Sequence, residues 1–232
     1  MPTFRQCFNH TSGLIGHGDF GGAANPQLEN IVLNGIDANE PNVRYSHSGV
    51  GYDLAAKAME IIAGKSIVRL YQEHLFQPLH FGDVPIGNAS SEGQFTALEL
   101  GTLAQLIANR GSYGELKFIS PRTFDRLLPE VLNVPDRGGV VDAGIGLHWI
   151  RRLKTGAPPN SNKVENQLFS IHTIGHGSLS GCVFMIDLDQ QLVITQVRRR
   201  TGPRYAAWSA KFFQTIAGTI KPSKAKLTLR ED

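Results

Sequence analysis

Apolar residues first repeat at helical spacing after Ser48. Leu54, Ala55, Ala58, Ile61 and Ile62 share one face, and Gly64 closes the run. Ser66 then has the position of an N-cap. Ile67, Leu70, Tyr71 and Leu75 follow on one face, and Pro78 is the stop. Thr96 and Glu99 have capping-box spacing, ahead of Leu100, Leu103, Leu106 and Ile107 and a stop at Gly111. Ser120-Pro121 opens a short helix through Leu127 and Leu128. A shorter helical stretch runs from Thr3 to Phe8.

The period then shortens. Strands are predicted over residues 144–150, 168–173, 182–188 and 192–197, with a polar turn at 154–166 and a hairpin loop at 187–191. A final amphipathic helix from about Pro203 to Ile216 is expected to bury Trp208, Phe212, Phe213 and Ile216. Residues 9–47 are broken by glycine, asparagine and proline and read as loop. Long loops in compact domains are often functional. Helices in the middle, then a meander and a last helix, predict an α+β or α/β domain built on an antiparallel sheet. No repeat or linker divides the chain. Residues 1–220 are therefore expected to form one domain, followed by a basic tail at 221–232.

Composition narrows the function. The 232 residues are 41% hydrophobic and 19% charged, a globular balance and not that of a disordered chain. A net charge of +3 does not point to nucleic acid or an anionic membrane. Arg198, Arg199, Arg200, Arg204 and the basic tail have no interleaved aromatics, so they read as solvated charge. No apolar run reaches the roughly 18 residues of a membrane span. Cys7 and Cys182 are too few for a disulfide scaffold or a four-cysteine zinc site. Eight histidines occur without HExxH or paired-cysteine spacing, and His10 and His17 have no obvious third ligand. No metal and no other cofactor is expected.

Three short patterns carry candidate chemistry. His10-Thr11-Ser12-Gly13-Leu14 follows the first helical stretch, and Tyr45-Ser46-His47 precedes the first long helix. Gly175-His176-Gly177-Ser178-Leu179-Ser180-Gly181 separates two predicted strands. Taken singly, each has a plain structural explanation. Tyr45 fits a packed tyrosine with a satisfied hydroxyl, and His176 fits a solvated histidine in a glycine-rich turn. His10 and Ser12 fit a loop held by local hydrogen bonds. A tyrosine hydroxyl, with a free pKa of about 10, is a poor base. Cationic neighbours stabilise its phenolate, and it can then take a proton from a serine.

Taken in order, these segments resemble the serine β-lactamase and penicillin-binding-protein-like family, especially its class C and esterase branch. Residues 3–14 resemble that family's helix and His-Thr-Ser-Gly-Leu segment. Tyr45-Ser46-His47 and the residues through Tyr52 resemble its Tyr-x-Asn element and following helix. Glu73-His74-Leu75-Phe76-Gln77-Pro78-Leu79 resembles its stretch ending in Pro-Leu-Gly. Gly175-His176-Gly177-Ser178 resembles the variant of its Lys-Thr-Gly strand in which histidine replaces lysine. The order holds from residue 3 to about 216.

The resemblance implies a β-lactamase/transpeptidase-like α+β fold, an antiparallel sheet flanked by helices. It implies catalytic roles for Tyr45 as the base and for His176, which supports the tyrosine and binds polar groups of the substrate. His47, Gly177, Ser178 and Leu179 are implied to bind substrate. His47 stands where the family has asparagine, and it both donates and accepts only as one neutral tautomer. Gly177 and Ser178 let a substrate approach the strand edge closely, and the Leu179 N–H corresponds to an oxyanion donor.

The family's nucleophile is the serine of Ser-x-x-Lys, whose lysine lies one turn along the same helix face. Nine residues precede His10, which leaves no room for that motif upstream. Ser223-Lys224-Ala225-Lys226 fits the letters but lies in the basic tail behind Pro222. Lys154-Thr155-Gly156 spells the lysine version of the strand motif, but Ala157-Pro158-Pro159 cannot continue a central strand. The family's two N-terminal strands and its nucleophile helix are likewise expected to be absent. The chain is thus expected to be a truncated domain whose strand at 192–197 is an uncovered apolar edge, open to self-association.

On this reading the complete protein hydrolyses an ester, a β-lactam or a peptidoglycan peptide through an acyl-enzyme, and this chain alone is inactive. The alternative is a non-catalytic pseudoenzyme or ligand-binding module that keeps the cleft. The expected partner is a small-molecule or peptide substrate, with no nucleic acid and no membrane span. The resemblance implies a periplasmic or secreted location for the full-length protein; residues 1–6 show no signal-peptide pattern.

Overall fold

Short polar side chains set the helix starts. Thr3 and Gln6 form a reciprocal capping box at the start of α1 (Phe4–Phe8). α2 (Val50–Ala63) ends on Gly64, whose φ of +64° is the left-handed conformation a glycine C-cap supplies without strain. Ser66 caps α3 (Ile67–Tyr71). Thr96 and Glu99 form the second capping box, at the start of α4 (Ala97–Ala108). Ser120 caps α5 (Pro121–Asp125), with proline in the first turn. α6 (Tyr205–Thr219) closes the helical set. Each helix lies where the periodicity predicts one, within a few residues.

The computed structural model describes residues 2–14, 39–87, 89–134, 139–144, 146–149 and 168–220. The expected polar turn at 154–166, Lys154-Thr155-Gly156, His17, Ser223–Lys226 and the basic tail lie outside the described residues. The chain divides into two compact units, one drawn from residues 1–95 and 130–146, the other from 96–129 and 147–232.

In the first unit α1 meets α2 at Gly51, where an added Cβ would lie 2.6 Å from the Cys7 carbonyl oxygen. Cys7, Leu14 and Val50 form one buried cluster, and Ala56, Ile67 and Leu70 another. α2 buries its first half. Ile61 and Ile62, assigned by their spacing to the buried face, are 70% and 82% exposed. After α3 the chain widens into one π-helical turn, Gln72–Phe76, closed by Gln77 N–H donating to the Gln72 carbonyl at 2.9 Å. A continued α-helix would set the Pro78 ring against the His74 carbonyl. β3 (Glu130–Val134) and β4 (Gly139–Ala143) form an antiparallel hairpin in this unit that the sequence reading does not anticipate.

The second unit holds a small hairpin, β1 (Ser112–Tyr113) with β2 (Leu116–Lys117), and a four-stranded antiparallel sheet. Its strands are β5 (His148–Trp149), β6 (Thr173–Gly177), β7 (Val183–Asp187) and β8 (Leu192–Gln196), in that order across the sheet. Ala104 and Ala108 of α4 pack on Ile174 and Ile186 of one face. Phe213 of α6 packs on Val183 and Ile194 of the other. This is the helix-flanked antiparallel sheet of the expected α+β fold.

Two strand expectations are corrected. Of the strand predicted over 144–150, the described residues form β5 at His148–Trp149, and residues 144, 146 and 147 are not strand. Of the one predicted over 168–173, only Thr173 is strand; the chain turns at 171–172, because the buried Asp187 carboxylate captures Ser170. The Ser170 N–H and hydroxyl donate to it at 2.5 and 2.8 Å, and the Asp189 and Gln190 N–H groups donate at 3.0 Å. The strand begins only at Thr173, so Gly175, His176 and Gly177 lie within β6 instead of between strands. Trp208, expected in the core, is 52% exposed. It sits on the side of α6 toward the sheet's last strand, where among the described residues no further strand provides cover.

Candidate active site

The loop before α2 is tied to the end of α1 by buried polar groups. The Thr11 hydroxyl is shared between Asn9 Oδ1 at 2.6 Å and Asn42 Oδ1 at 3.0 Å. Gly13, at φ +78°, brings its backbone against Asn39, and a Cβ there would collide with the Asn39 carbonyl. His10 also sits at positive φ, +63°. Its carbonyl accepts the Ser46 N–H at 2.9 Å and its Nδ1 accepts the Ser48 N–H at 3.3 Å. An accepting Nδ1 puts the ring proton on Nε2.

These bonds hold Tyr45, Ser46 and His47 just ahead of α2. The His10 ring lies 5.6 Å from the Tyr45 ring, edge-on, 4.5 Å from His47 and 5.4 Å from Tyr52. Tyr45 is buried against Leu132 and Val134 of β3. Tyr52 donates its hydroxyl to the Phe8 carbonyl at 2.7 Å. Burial pushes the Tyr52 phenol up to about 12; the Gly146 backbone opposes this and the Tyr45 charge adds to it. Tyr52 is thus a neutral, locked hydroxyl, distinct from the tyrosine implied as base. Sequence reasoning gave His10 a loop-holding role and Tyr52 none. The pairing of His10 with the Tyr-Ser-His segment joins residues far apart in the chain, so no local pattern signals it.

The second group of predicted residues lies at the end of β6. Gly175 lets β6 lie close to β7, since a Cβ there would collide with the Phe184 carbonyl. His176 is exposed and its ring lies 5.5 Å from that of His148. Its Nδ1 contacts the Gly177 carbonyl, which requires a proton on Nδ1 and makes Nε2 the acceptor in the neutral ring. A Cβ on Gly177 would meet nothing within 4 Å, so the strand surface there is open. Ser178 to Gly181 form a tight turn, closed by Gly181 N–H to the Ser178 carbonyl at 2.9 Å, with the Leu179 side chain fully exposed.

Ser178 Oγ lies 2.7 Å from Ser180 Oγ and accepts the Cys182 N–H at 3.0 Å. Burial raises the Cys182 thiol, but Ser180, the Arg198 backbone, Ser178 and the Arg198 charge together bring it below its usual value. Both cysteines are free. Tyr45 and His47 belong to the first unit, and His176, Gly177, Ser178 and Leu179 to the second. Among the described residues, no three His, Cys, Asp or Glu side chains are grouped as metal ligands. No described helix is long and apolar enough to cross a membrane.

The fold has many solved relatives. A β-lactamase from Mycobacterium bovis shares 20% identity at a TM-score of 0.60, over 94% of this chain and 72% of its own. SurE, solved with D-Leu, shares 17% identity at a TM-score of 0.67, over 100% of this chain and 57% of its own. The D-amino acid amidase of Ochrobactrum anthropi, solved with D-phenylalanine, shares 16% identity at a TM-score of 0.54, over 94% of this chain and 78% of its own. No curated protein matches the sequence. The model of the β-lactamase family matches residues 2–209. With nine-tenths of its length under that match, and with its sheet and helices shared by those structures, the chain belongs to the β-lactamase family.

Proposed function

We propose that the chain carries the proton-handling tyrosine and the substrate-binding strand of a serine acyl hydrolase. In the complete protein these groups serve an acyl-enzyme reaction on an ester, a β-lactam or a peptidoglycan peptide. Residues 1–220 are taken as one domain of this type. The observation that supports the reading most is the clamp on residues 45–48. His10 offers two acceptors to that short segment and packs its ring on both Tyr45 and His47.

Tyr45 takes the proton of the attacking serine. His47 hydrogen-bonds the substrate. His176 presents Nε2 to polar substrate groups, the open backbone at Gly177 and Ser178 lets the substrate lie along β6, and the Leu179 N–H donates to the oxyanion. The serine and lysine belong to a Ser-x-x-Lys element. The 232 residues spell one only at Ser223–Lys226. Acyl transfer by this chain alone is therefore not expected. The same observation favours a second reading, a ligand-binding module without turnover.

The test joins this chain to a Ser-x-x-Lys element in one protein and follows hydrolysis of a chromogenic ester. Tyr45→Phe should lower kcat by about 10²–10⁴ with KM little changed, the loss of a proton-transfer group. Hydrolysis unaffected by Tyr45→Phe would overturn its role. Saturable ligand binding with no turnover would favour the second reading.

A further inference from the structure

His10 follows α1 in the left-handed conformation, at φ +63°. Among residues other than glycine, asparagine, aspartate and histidine adopt it most readily. Here the backbone and the ring of one residue serve the same short segment. The His10 carbonyl accepts the Ser46 N–H at 2.9 Å, and Nδ1 accepts the Ser48 N–H at 3.3 Å. α1 anchors the residue from behind. His10 N–H donates to the Cys7 carbonyl at 3.4 Å, and Thr11 N–H to the Gln6 carbonyl at 2.9 Å. Cys7 is itself packed against Val50 of α2.

We propose that His10 is a positioning residue for Tyr45. It holds the backbone on both sides of His47 and thereby fixes where the Tyr45 hydroxyl lies. This deepens the reading of Tyr45 as proton acceptor and rests on it. Ser46 and Ser48 flank His47, and His10 accepts from both of their N–H groups. The Tyr45 ring is buried against Leu132 and Val134, with the His10 ring edge-on at 5.6 Å. A base must come within about 2.6–3.2 Å of the group whose proton it takes. A misplacement of about 1 Å can cost about 10²-fold in rate. The role requires one tautomer. The Nδ1 lone pair faces the Ser48 N–H, so the neutral ring carries its proton on Nε2. A proton on Nδ1 would set two N–H groups against each other.

Two amides separate the acceptor from mere bulk. Asparagine carries its Oδ1 where histidine carries Nδ1, and it also tolerates positive φ. Glutamine carries its oxygen one bond further out, and alanine has no side-chain acceptor.

The test uses the 232-residue chain and three readouts. A long-range proton–nitrogen spectrum of the wild type should show His10 protonated on Nε2 and bare on Nδ1. Tetranitromethane nitration, mapped by peptide mass, reads Tyr45, which is buried, against Tyr71 of the same unit as internal control. Amide exchange reads Ser48. His10→Ala and His10→Gln should speed nitration of Tyr45 about tenfold and exchange at Ser48 about three- to tenfold, with Tyr71 and the melting temperature unchanged. His10→Asn should stay within about twofold of the wild type on both. A ring protonated on Nδ1 overturns the proposal. So does Tyr45 as protected in His10→Ala as in the wild type, a Tyr71 that loosens along with Tyr45, or His10→Asn no better than His10→Gln. If His10→Ala does not fold, the tautomer and the asparagine–glutamine pair still decide. None of these readouts involves turnover. Their failure is therefore distinct from a failure of Tyr45 as proton acceptor, which hydrolysis by Tyr45→Phe reports.

Discussion

Gly175 and Tyr52 show how single atoms set the site. β6 reaches β7 only because residue 175 has no Cβ to meet the Phe184 carbonyl. Gly175→Ala should cost about 1–3 kcal/mol, the range for overpacking a tight contact, and urea denaturation measures it. Tyr52 binds the Phe8 carbonyl from a buried position, and its neutral form is the one the fold favours. Its pKa is raised from 10.0 to about 12, so the stability it contributes is fully present below pH 10. That stability is lost as pH rises from 10 through about 12. Tyr52→Phe should cost about 1 kcal/mol at neutral pH through the lost hydrogen bond. Its denaturation midpoint should also fall less steeply than that of the wild type across the alkaline window. Parallel pH profiles for the two proteins would contradict this assignment.

The elements differ in how legible they were. Helices announced themselves through caps, because a cap is a bond between residues close in sequence. Thr96 accepts the Glu99 N–H at 3.2 Å and Glu99 accepts the Thr96 N–H at 2.8 Å. Thr96→Ala should lower stability by about 1 kcal/mol, read as a lower thermal midpoint. β7 and β8 were legible for the same local reason, a short hairpin between apolar runs. The turn at 171–172 was not, because the group that makes it is Asp187, distant in sequence. The hairpin of β3 and β4 was missed as well. Its strands, Glu130–Val134 and Gly139–Ala143, carry no clean alternation of apolar and polar residues. Of the candidate site, the motifs were legible by resemblance. The clamp of His10 on residues 45–48 was not, since ring packing between distant segments leaves no trace in spacing.

Over the whole molecule, membership in the β-lactamase family rests on a match across residues 2–209 and on shared folds at 20% identity or less. Such likeness gives the scaffold, and chemistry has to be argued from side chains. Those side chains supply a held tyrosine, an exposed strand histidine and an open glycine-lined edge. They supply no Ser-x-x-Lys among the described residues. The measurement that tests this account most directly is the intact mass of the 232-residue chain after incubation with a fluorophosphonate and, separately, with a penicillin. The account predicts an unmodified mass with both reagents. A stoichiometric adduct mapping to one serine would contradict it, because that serine would be a nucleophile contained in this chain.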